Sequence, residues 1–272
     1  MTPTDLPRTQ SRSDHAILEH ATRDSQRSGG RPIADHQQVR RLYDGSAGAW
    51  LRLGSVASLH QPLIGRILRR GDLRIRHARN VLDVGTGAGQ ILKHLLQLAA
   101  PDAIISACDI SHRMLHRARV AVGSDANRVR FLAADLNRLP FADGSFDLVT
   151  CGYVLEHLAD PRQGLRELHR VLNPGGSLLL GATEDTFAGL LCGRLWRCRT
   201  LNRDELREAC AQCGLPWTRQ LWLSRGHKLL RMGGILVEAR KSAEFVDAIE
   251  STDLCCRPER ESAESDLSQL EA

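Results

Sequence analysis

Short apolar runs alternate with helix-like segments in the middle of the chain. Five runs have the length of a strand and read, in order, NVLDVG, IISACD, VRFLAAD, FDLVTCG and SLLLGA. Four segments have apolar positions at helical spacing: Ile91–Leu98, His112–Ala121, Arg162–Leu172 and Arg203–Cys213. Strands that alternate with helices of about ten residues indicate a parallel sheet with helices on both faces. The pattern therefore predicts an α/β fold.

The pattern of apolar positions changes near the C-terminus. Trp217–Leu223 and Gly234–Arg240 both resemble strands, and no helical pattern separates them. We expect these two segments to form an antiparallel pair at one edge of the sheet.

The chain divides into three parts by composition. Residues 1–36 are polar with few aliphatic side chains, which predicts a disordered arm. Residues 37–241 are predicted to form the folded domain, and its first part, 37–79, has apolar positions at helical spacing and is interpreted as a helical lid. Residues 242–272 are predicted to be an acidic, mostly disordered tail.

Charge is distributed unevenly over these parts. The formal net charge is +5, but residues 242–272 carry nine acidic and two basic side chains, so the tail has a net charge of −7 and the rest +12. A basic body suits an anionic partner, although an ordinary solvated surface explains the same numbers. No nucleic-acid-binding module is recognisable, so we do not expect a nucleic-acid partner. The oligomeric state is not readable from the sequence.

Composition also argues against membrane and secreted classes. No apolar run approaches the roughly 18 residues that a membrane-spanning helix needs. The N-terminal residues lack the apolar core of a secretory signal, so we expect none. The eight cysteines then indicate reduced thiols, and we expect a cytoplasmic protein.

The most informative motif is VLDVGTGAGQ, Val81–Gln90. An apolar strand leads into three alternating glycines, Gly85, Gly87 and Gly89, and a helix follows. Glycines allow a tight turn and close approach of a ligand, and the helix start offers free amide donors. The motif therefore predicts a nucleotide-type pocket at the end of the first strand.

Two ligand classes fit such a loop. The dinucleotide fingerprint G-x-G-x-x-G would need a glycine where Gln90 stands. The loop instead reads D-x-G-x-G-x-G from Asp83. Asp109 ends the second strand, where a carboxylate accepts hydrogen bonds from ribose hydroxyls, but dehydrogenases share that feature.

The order of the later motifs separates the two classes. Asp135 follows the third strand, FDLVTCGYVLEHL forms the fourth, and RVLNPGG precedes the fifth. This ordered set closely resembles the class I S-adenosylmethionine-dependent methyltransferases of small-molecule type, which include ubiquinone and menaquinone biosynthesis enzymes. The resemblance runs from about Tyr43 to Arg240. It implies a Rossmann-like, seven-stranded mixed sheet, S-adenosylmethionine as the cofactor, and a small-molecule acceptor whose accepting atom (O, C or N) stays open.

The resemblance also assigns a cofactor site. Family positions that hold the methionine part of the cofactor correspond to Gly85, Thr86, Gly87 and Gly89. Asp83 corresponds to the acid that fixes this loop and faces the cofactor's amino group; a role in the loop alone is the alternative.

The remaining cofactor positions concern the nucleoside. Asp109 corresponds to the ribose-binding acid, and Ile110 would supply apolar contact to the adenine. Asp135 corresponds to the acid that binds the adenine amine, with the Leu136 backbone amide nearby. The alternative for Asp135 is an exposed turn residue, since aspartate favours turns.

Catalytic residues are harder to assign. Methyl transfer from a sulfonium mainly requires alignment of the two reactants and exclusion of water. Tyr153 and His157 follow the fourth strand, where the family borders the transferring methyl group, and either could orient or deprotonate the acceptor. His157 could equally serve only to anchor the loop.

Three other functions compete with this interpretation, and the first is an enzyme of the same fold with other chemistry on a related cofactor, such as cyclopropane formation or aminopropyl transfer. A non-catalytic S-adenosylmethionine-binding partner subunit would share the fold and bind without turnover. A nicotinamide-dependent oxidoreductase would leave Asp135 and the later motifs unexplained. A zinc site at Cys210 and Cys213 would need a second cysteine pair at suitable spacing, so we expect no metal.

Overall fold

The structure is a computed structural model that describes residues 60–70, 75–196, 198–222, 226, 228 and 234–242. The predicted arm of residues 1–36, residues 37–59 of the predicted lid, and all but the first residue of the predicted tail lie outside the described residues. Among the described residues, no helix combines the length and apolarity that crossing a membrane requires.

A seven-stranded mixed sheet forms the centre of the described fold, in the order β3-β2-β1-β4-β5-β7-β6. The strands are β1 (Asn80–Val84), β2 (Ile104–Asp109), β3 (Val129–Ala133), β4 (Phe146–Gly152), β5 (Leu172–Ala182), β6 (Trp217–Gln220) and β7 (Ile235–Arg240). The first five pair in parallel, and β7 pairs antiparallel with both β5 and β6. The predicted fold class and the antiparallel edge are thereby confirmed.

Helices connect these strands. They are α1 (His60–Arg70), α2 (Gln90–Leu98), α3 (His112–Val122), α4 (Pro161–Val171), α5 (Phe187–Trp196) and α6 (Arg203–Gln212). Three of them begin at a polar side chain that accepts a backbone hydrogen bond from the first turn: Ser111 before α3, Asp160 before α4 and Asn202 before α6. Such caps satisfy the amides that a helix start leaves unpaired.

Each face of the sheet carries its own apolar core. On one face, the helices α1, α2 and α3 contribute side chains such as Ile64, Leu92 and Ala118. On the other, α4 and α6 contribute side chains such as Leu165 and Leu206. Because both faces are covered, the central strands are apolar on both sides, and this explains their continuous apolar runs in the sequence.

Two details of this half of the fold differ from the sequence-based expectation. The sequence analysis places RVLNPGG before the fifth strand, but β5 already begins at Leu172. The pairing shifts between Phe146↔Leu172 and Leu148↔Ser177, so the extra residues form an irregularity inside the strand. In addition, α5 was not predicted, because its apolar residues are not confined to one face.

The strand order fixes where a ligand can bind. The connection from β1 leads to β2 on one side, whereas β4 lies on the other side of β1. Ligands of open α/β sheets bind at such a switch point, beyond the carboxyl ends of the strands. The glycine loop follows β1 and the Tyr153–His157 segment follows β4, so both lie at this edge.

Candidate functional site

The glycine loop turns tightly between β1 and α2. Gly85, Gly87 and Gly89 all have positive φ, at 66°, 54° and 81°. A Cβ built on Gly85 would overlap Cγ2 of Val154, and one on Gly89 would lie 3.2 Å from the Cα of Ala118 in α3. These two glycines therefore permit close packing within the protein.

Gly87 has a different role in the same loop. The nearest atom to a Cβ built there is the Gly85 carbonyl oxygen, at 3.9 Å. No other atom of the described residues lies within 4 Å of this position, so within the described fold a ligand can reach the backbone here. The helix α2 follows directly. Its N-cap residue, Gly89, has no side chain that could accept hydrogen bonds from the first amides of the helix.

Asp83 is a buried carboxylate beneath this loop, only 1% exposed. It accepts hydrogen bonds from the Thr86 hydroxyl (2.7 Å) and the Thr150 hydroxyl (2.6 Å). Burial raises its pKa from 3.8 to about 6, although the two threonine hydroxyls oppose this and the nearby Asp109 adds to it. Through these two bonds Asp83 joins Thr86 of the glycine loop to Thr150 of β4.

Asp109 lies at the carboxyl end of β2, half-buried. One carboxylate oxygen accepts a hydrogen bond from the Gly87 amide (2.9 Å), and the other accepts one from the Ser111 amide (2.9 Å). Each carboxylate oxygen can accept a further bond. Asp109 is therefore fixed beside Gly87 in the glycine loop.

The other predicted nucleoside contacts lie further along the same edge. Asp135 follows β3 and is half-buried, and one of its oxygens accepts a hydrogen bond from the Asn137 amide at 2.9 Å in a turn. Ile110 is half-buried between β2 and α3. Leu136 is 4% exposed and belongs to the apolar core, so only its backbone is suited to a ligand contact.

The two candidate catalytic residues lie after β4 in different environments. Tyr153 is half-buried and has a φ of 61°. His157 ends a short 3₁₀ turn, and burial lowers its pKa to about 4. His157 is therefore neutral at pH 7, and this charge state suits a loop anchor as well as a base.

The sequence reasoning missed two polar residues here. Thr150 pairs with Asp83 across β1 and β4, and no local motif marks it. Glu156 is 2% exposed, and its Oε1 accepts hydrogen bonds from the Thr183 hydroxyl (2.7 Å) and amide (3.3 Å). Burial raises the pKa of Glu156 to about 7, against the effect of the Thr183 bonds. The sequence signal that could have identified Glu156 is an acidic residue within the mostly apolar run VLEHL.

The described cysteines show no metal centre. Cys210 and Cys213 are buried in the core, and burial raises the pKa of both thiols. No cluster of three or more histidine, cysteine or acidic side chains that could hold a metal ion occurs in the part of the chain that the structure describes.

Sequence comparisons relate this part of the chain to known proteins. Residues 82–180 match the model of the methyltransferase domain family. The demethylmenaquinone methyltransferase of Deinococcus radiodurans is 36% identical over 153 residues, which are 55% of this chain and 63% of the relative. The enzyme of the same name from Clavibacter sepedonicus is 34% identical over 143 residues, 53% of this chain and 57% of the relative. The chain thus spans about three fifths of the length of these curated relatives.

Structural comparisons agree on the fold. A chain of the complex between the Haloferax volcanii Trm112 methyltransferase activator and its methyltransferase has a TM-score of 0.60 and 24% identity, covering 75% of this chain and 97% of that chain. The mitomycin 7-O-methyltransferase MmcR has a TM-score of 0.61 and 18% identity, covering 84% of this chain and 67% of that chain. At such identities the likeness concerns the fold alone. Together, these findings show that residues 82–180 match a methyltransferase domain in sequence and that the described fold is shared with methyltransferases of known structure.

Proposed function

We propose that this chain is an S-adenosylmethionine-dependent methyltransferase that moves the cofactor's methyl group to a small-molecule acceptor. The observation that carries the proposal is the geometry around Gly87. An open glycine backbone, a ribose-type acid at 2.9 Å from its amide and a buried acid beneath the loop meet at the switch point of the sheet.

The electrostatics of the site favour a cationic cofactor. Asp83 and Asp109 lie close enough for the charge of Asp109 to raise the pKa of Asp83. A third acid, Asp135, follows the next strand. S-adenosylmethionine carries a sulfonium and an ammonium group, whereas a dinucleotide carries a pyrophosphate. Opposite charges attract most strongly where the surroundings exclude water, so acids at this edge favour the sulfonium cofactor.

The residues present fit this cofactor part by part. Gly85, Thr86, Gly87 and Gly89 would surround its methionine part, and Asp83 would face its ammonium group. Asp109 would accept hydrogen bonds from the ribose hydroxyls. Ile110, Asp135 and the Leu136 backbone would contact the adenine. The bound cofactor supplies an activated methyl group on a good leaving group.

The chain's own part in the reaction is alignment. Asp109 fixes the glycine loop through the Gly87 amide. Val154 packs on Gly85, so the segment after β4 is held against the same loop. An acceptor held beside that segment would meet the methyl group with water excluded. In well-aligned intramolecular reactions, positioning of this kind lowers the activation barrier by roughly 7 to 11 kcal/mol.

The acceptor class is proposed from the relatives. The two curated relatives are named for demethylmenaquinone, which makes a quinol a reasonable first acceptor to try. A non-catalytic partner subunit is disfavoured, because the relatives are named as methyltransferases. We further propose a cytoplasmic location, which four buried cysteines that form no disulfide, Cys108, Cys151, Cys210 and Cys213, support.

Transfer of a radioactive methyl group tests this function. Purified protein would be incubated with methyl-tritiated S-adenosylmethionine and, separately, 1,4-naphthoquinol, catechol, histamine and octanoate. The proposal predicts labelled product with at least one acceptor, together with S-adenosylhomocysteine. Protein that binds S-adenosylhomocysteine but labels none of them would support the partner-subunit alternative instead.

A further inference from the structure

The large apolar side chains of α5 that the structure describes face outward. Their exposed fractions are 87% for Phe187, 51% for Leu190 and 63% for Leu191. Residues three and four positions apart share one face of a helix, so these side chains form one continuous patch. Arg194, at the next position of the same series, is exposed as well. We call these four residues the α5 face.

The other side of α5 packs on the protein through glycines. A Cβ built on Gly189 would overlap the Glu184 carbonyl oxygen, and one on Gly193 would lie 2.9 Å from the Cys198 carbonyl oxygen. The Gly193 carbonyl also accepts a hydrogen bond from the Cys198 amide at 3.1 Å. A surface helix ordinarily buries its large apolar side chains, whereas α5 buries glycine and exposes phenylalanine and leucine. Its packing therefore leaves the α5 face outside the core.

Exposed apolar side chains are clustered on this helix. Six large apolar side chains among the described residues are exposed, and three of them belong to the α5 face. The other three lie on three different elements, as single exposed apolar residues do in many soluble proteins. A contiguous exposed patch, in contrast, marks a surface that binds a protein or a membrane.

The helix α5 lies at the edge of the sheet that carries the glycine loop. It follows β5, which runs parallel to β4. The chain on both sides of α5 is bonded to Glu156, in the segment after β4. Before the helix, the Thr183 hydroxyl donates a hydrogen bond to Glu156 Oε1 at 2.7 Å, and after it, the Arg199 amide donates one to the Glu156 carbonyl at 3.3 Å. A partner on the α5 face is therefore next to the ligand-binding edge.

The charge of this stretch indicates which partner fits. Residues 187–200 contain three arginines and no acidic residue. The acid that precedes the helix, Asp185, accepts a hydrogen bond from the Asn202 side chain at 2.9 Å, at the start of α6. Helices that bind anionic bilayers at their surface combine exposed phenylalanine and leucine with arginine or lysine. The α5 face has this combination, with Arg194 available for lipid phosphates.

A second copy of the chain fits the α5 face less well. In a symmetric dimer the same face of both copies would meet, so Arg194 would approach its counterpart with like charge. Three side chains of at most about 250 Å² each also fall short of the roughly 800 Å² that each partner of a stable protein complex buries. A bilayer requires no such minimum area, and its phosphates oppose the arginine charge.

We infer that the α5 face docks on an anionic lipid bilayer. Its three apolar side chains enter the boundary between headgroups and acyl chains, and Arg194 binds a lipid phosphate. The cytoplasmic leaflet of membranes supplies such anionic lipids. Docking of this kind requires no membrane-spanning helix. Its consequence, which rests on the proposed function, is that the enzyme takes an acceptor dissolved in the bilayer, because the ligand-binding edge of the sheet then faces the lipid.

Cosedimentation with lipid vesicles tests this docking. The full chain is mixed with vesicles of phosphatidylcholine alone or of an equimolar mixture of phosphatidylcholine and phosphatidylglycerol. The double variant Phe187→Ser with Leu191→Ser removes most of the apolar patch, and Arg194→Gln removes its charge. Val120→Ser is the matched control, because Val120 is equally apolar and exposed but lies on α3.

Wild-type protein should sediment with the anionic vesicles, and less with the neutral vesicles or at high salt. The double variant should bind the anionic vesicles at least about tenfold more weakly, because it loses two of the three apolar side chains that enter the bilayer. Arg194→Gln should bind about fivefold more weakly, which corresponds to the roughly 1 kcal/mol that one arginine contributes near an anionic surface. Val120→Ser should bind the vesicles within about twofold of wild type, and all variants should retain S-adenosylhomocysteine binding within about twofold.

Other results would overturn the inference. Wild-type protein that sediments with neither kind of vesicle, or a double variant that binds like wild type, would refute the docking surface. A wild-type dimer in sedimentation equilibrium that the double variant abolishes would assign the α5 face to a second copy. A double variant much less stable in urea than Val120→Ser would show that the face is packed within the protein.

The docking surface and the proposed function can fail separately. Vesicle binding through the α5 face without methyl transfer to any acceptor would refute the proposed function and leave the docking surface in place. Methyl transfer by wild-type protein that binds no vesicles would refute the docking surface and leave the proposed function in place.

Discussion

Replacement of Asp83 by asparagine should make the protein without cofactor more stable relative to wild type at pH 8 than at pH 5. The carboxylate is buried, and its pKa is raised from 3.8 to about 6. Two pKa units correspond to about 3 kcal/mol. Because the folded state binds the proton more tightly than the unfolded state, this contribution to stability is complete below pH 3.8 and is lost as the pH rises through about 6.

The effect is measurable within an ordinary pH range. Roughly half of the loss, about 1.5 kcal/mol, falls between pH 5 and pH 8. Urea denaturation of wild type and Asp83→Asn at both pH values gives the difference in their free energies of unfolding. This difference should move by about that amount in favour of the variant at pH 8. Other titrating groups are common to both proteins and cancel.

Asp147→Asn provides a control at a carboxyl group whose pKa is lowered in the folded protein rather than raised. Burial alone would raise the pKa of Asp147, but hydrogen bonds from the Asn80 and Arg79 amides and the Asn173 side chain outweigh it and lower the pKa. Asp147 is therefore ionised at both pH 5 and pH 8, and its variant should lose the same stability at each. If the difference in free energy of unfolding between wild type and Asp83→Asn is the same at pH 5 and pH 8, the assigned environment of Asp83 is refuted.

Three further substitutions test other contacts. Gly85→Ala should weaken S-adenosylhomocysteine binding at least tenfold in calorimetry, because its methyl group would displace Val154 from the loop; unchanged affinity would contradict this. Arg203→Met should destabilise the protein by about 3 kcal/mol in urea denaturation, because it removes the two hydrogen bonds that the Arg203 guanidinium donates to the fully buried Glu184 carboxylate, and a loss below 1 kcal/mol would show that the pair is unimportant. Glu156→Gln should gain stability relative to wild type between pH 6 and pH 8, since the raised pKa of Glu156, about 7, makes its ionisation unfavourable, whereas a flat difference would contradict it.

The sequence predicts the sheet because its signals are local. Strand runs such as Ile104–Asp109 are apolar on both faces, and the glycine loop has a fixed spacing. The positions of Asp83 and Asp109 next to the loop followed from the motif. The pKa of Asp83 and the hydrogen-bond partners of both residues did not follow from the motif. Thr150, for example, reaches Asp83 only through the pairing of β4 with β1.

Other features of the site depend on tertiary packing. The positive φ of Tyr153 could not be read from the residue type, since tyrosine has no preference for it. Its surroundings depend on Gly181 and Gly234, which lie 28 and 81 residues further along the chain. The irregular start of β5 likewise depends on pairing with β4.

Calorimetric titration with S-adenosylhomocysteine and NADH, on wild type and Asp109→Ala, tests the central claim most directly. The account predicts micromolar binding of S-adenosylhomocysteine, no binding of NADH, and about a hundredfold weaker binding in the variant, which loses two charge-assisted hydrogen bonds to the ribose. Binding of NADH instead, or no binding of S-adenosylhomocysteine by folded wild-type protein, would contradict the assignment of this site to a methyltransferase.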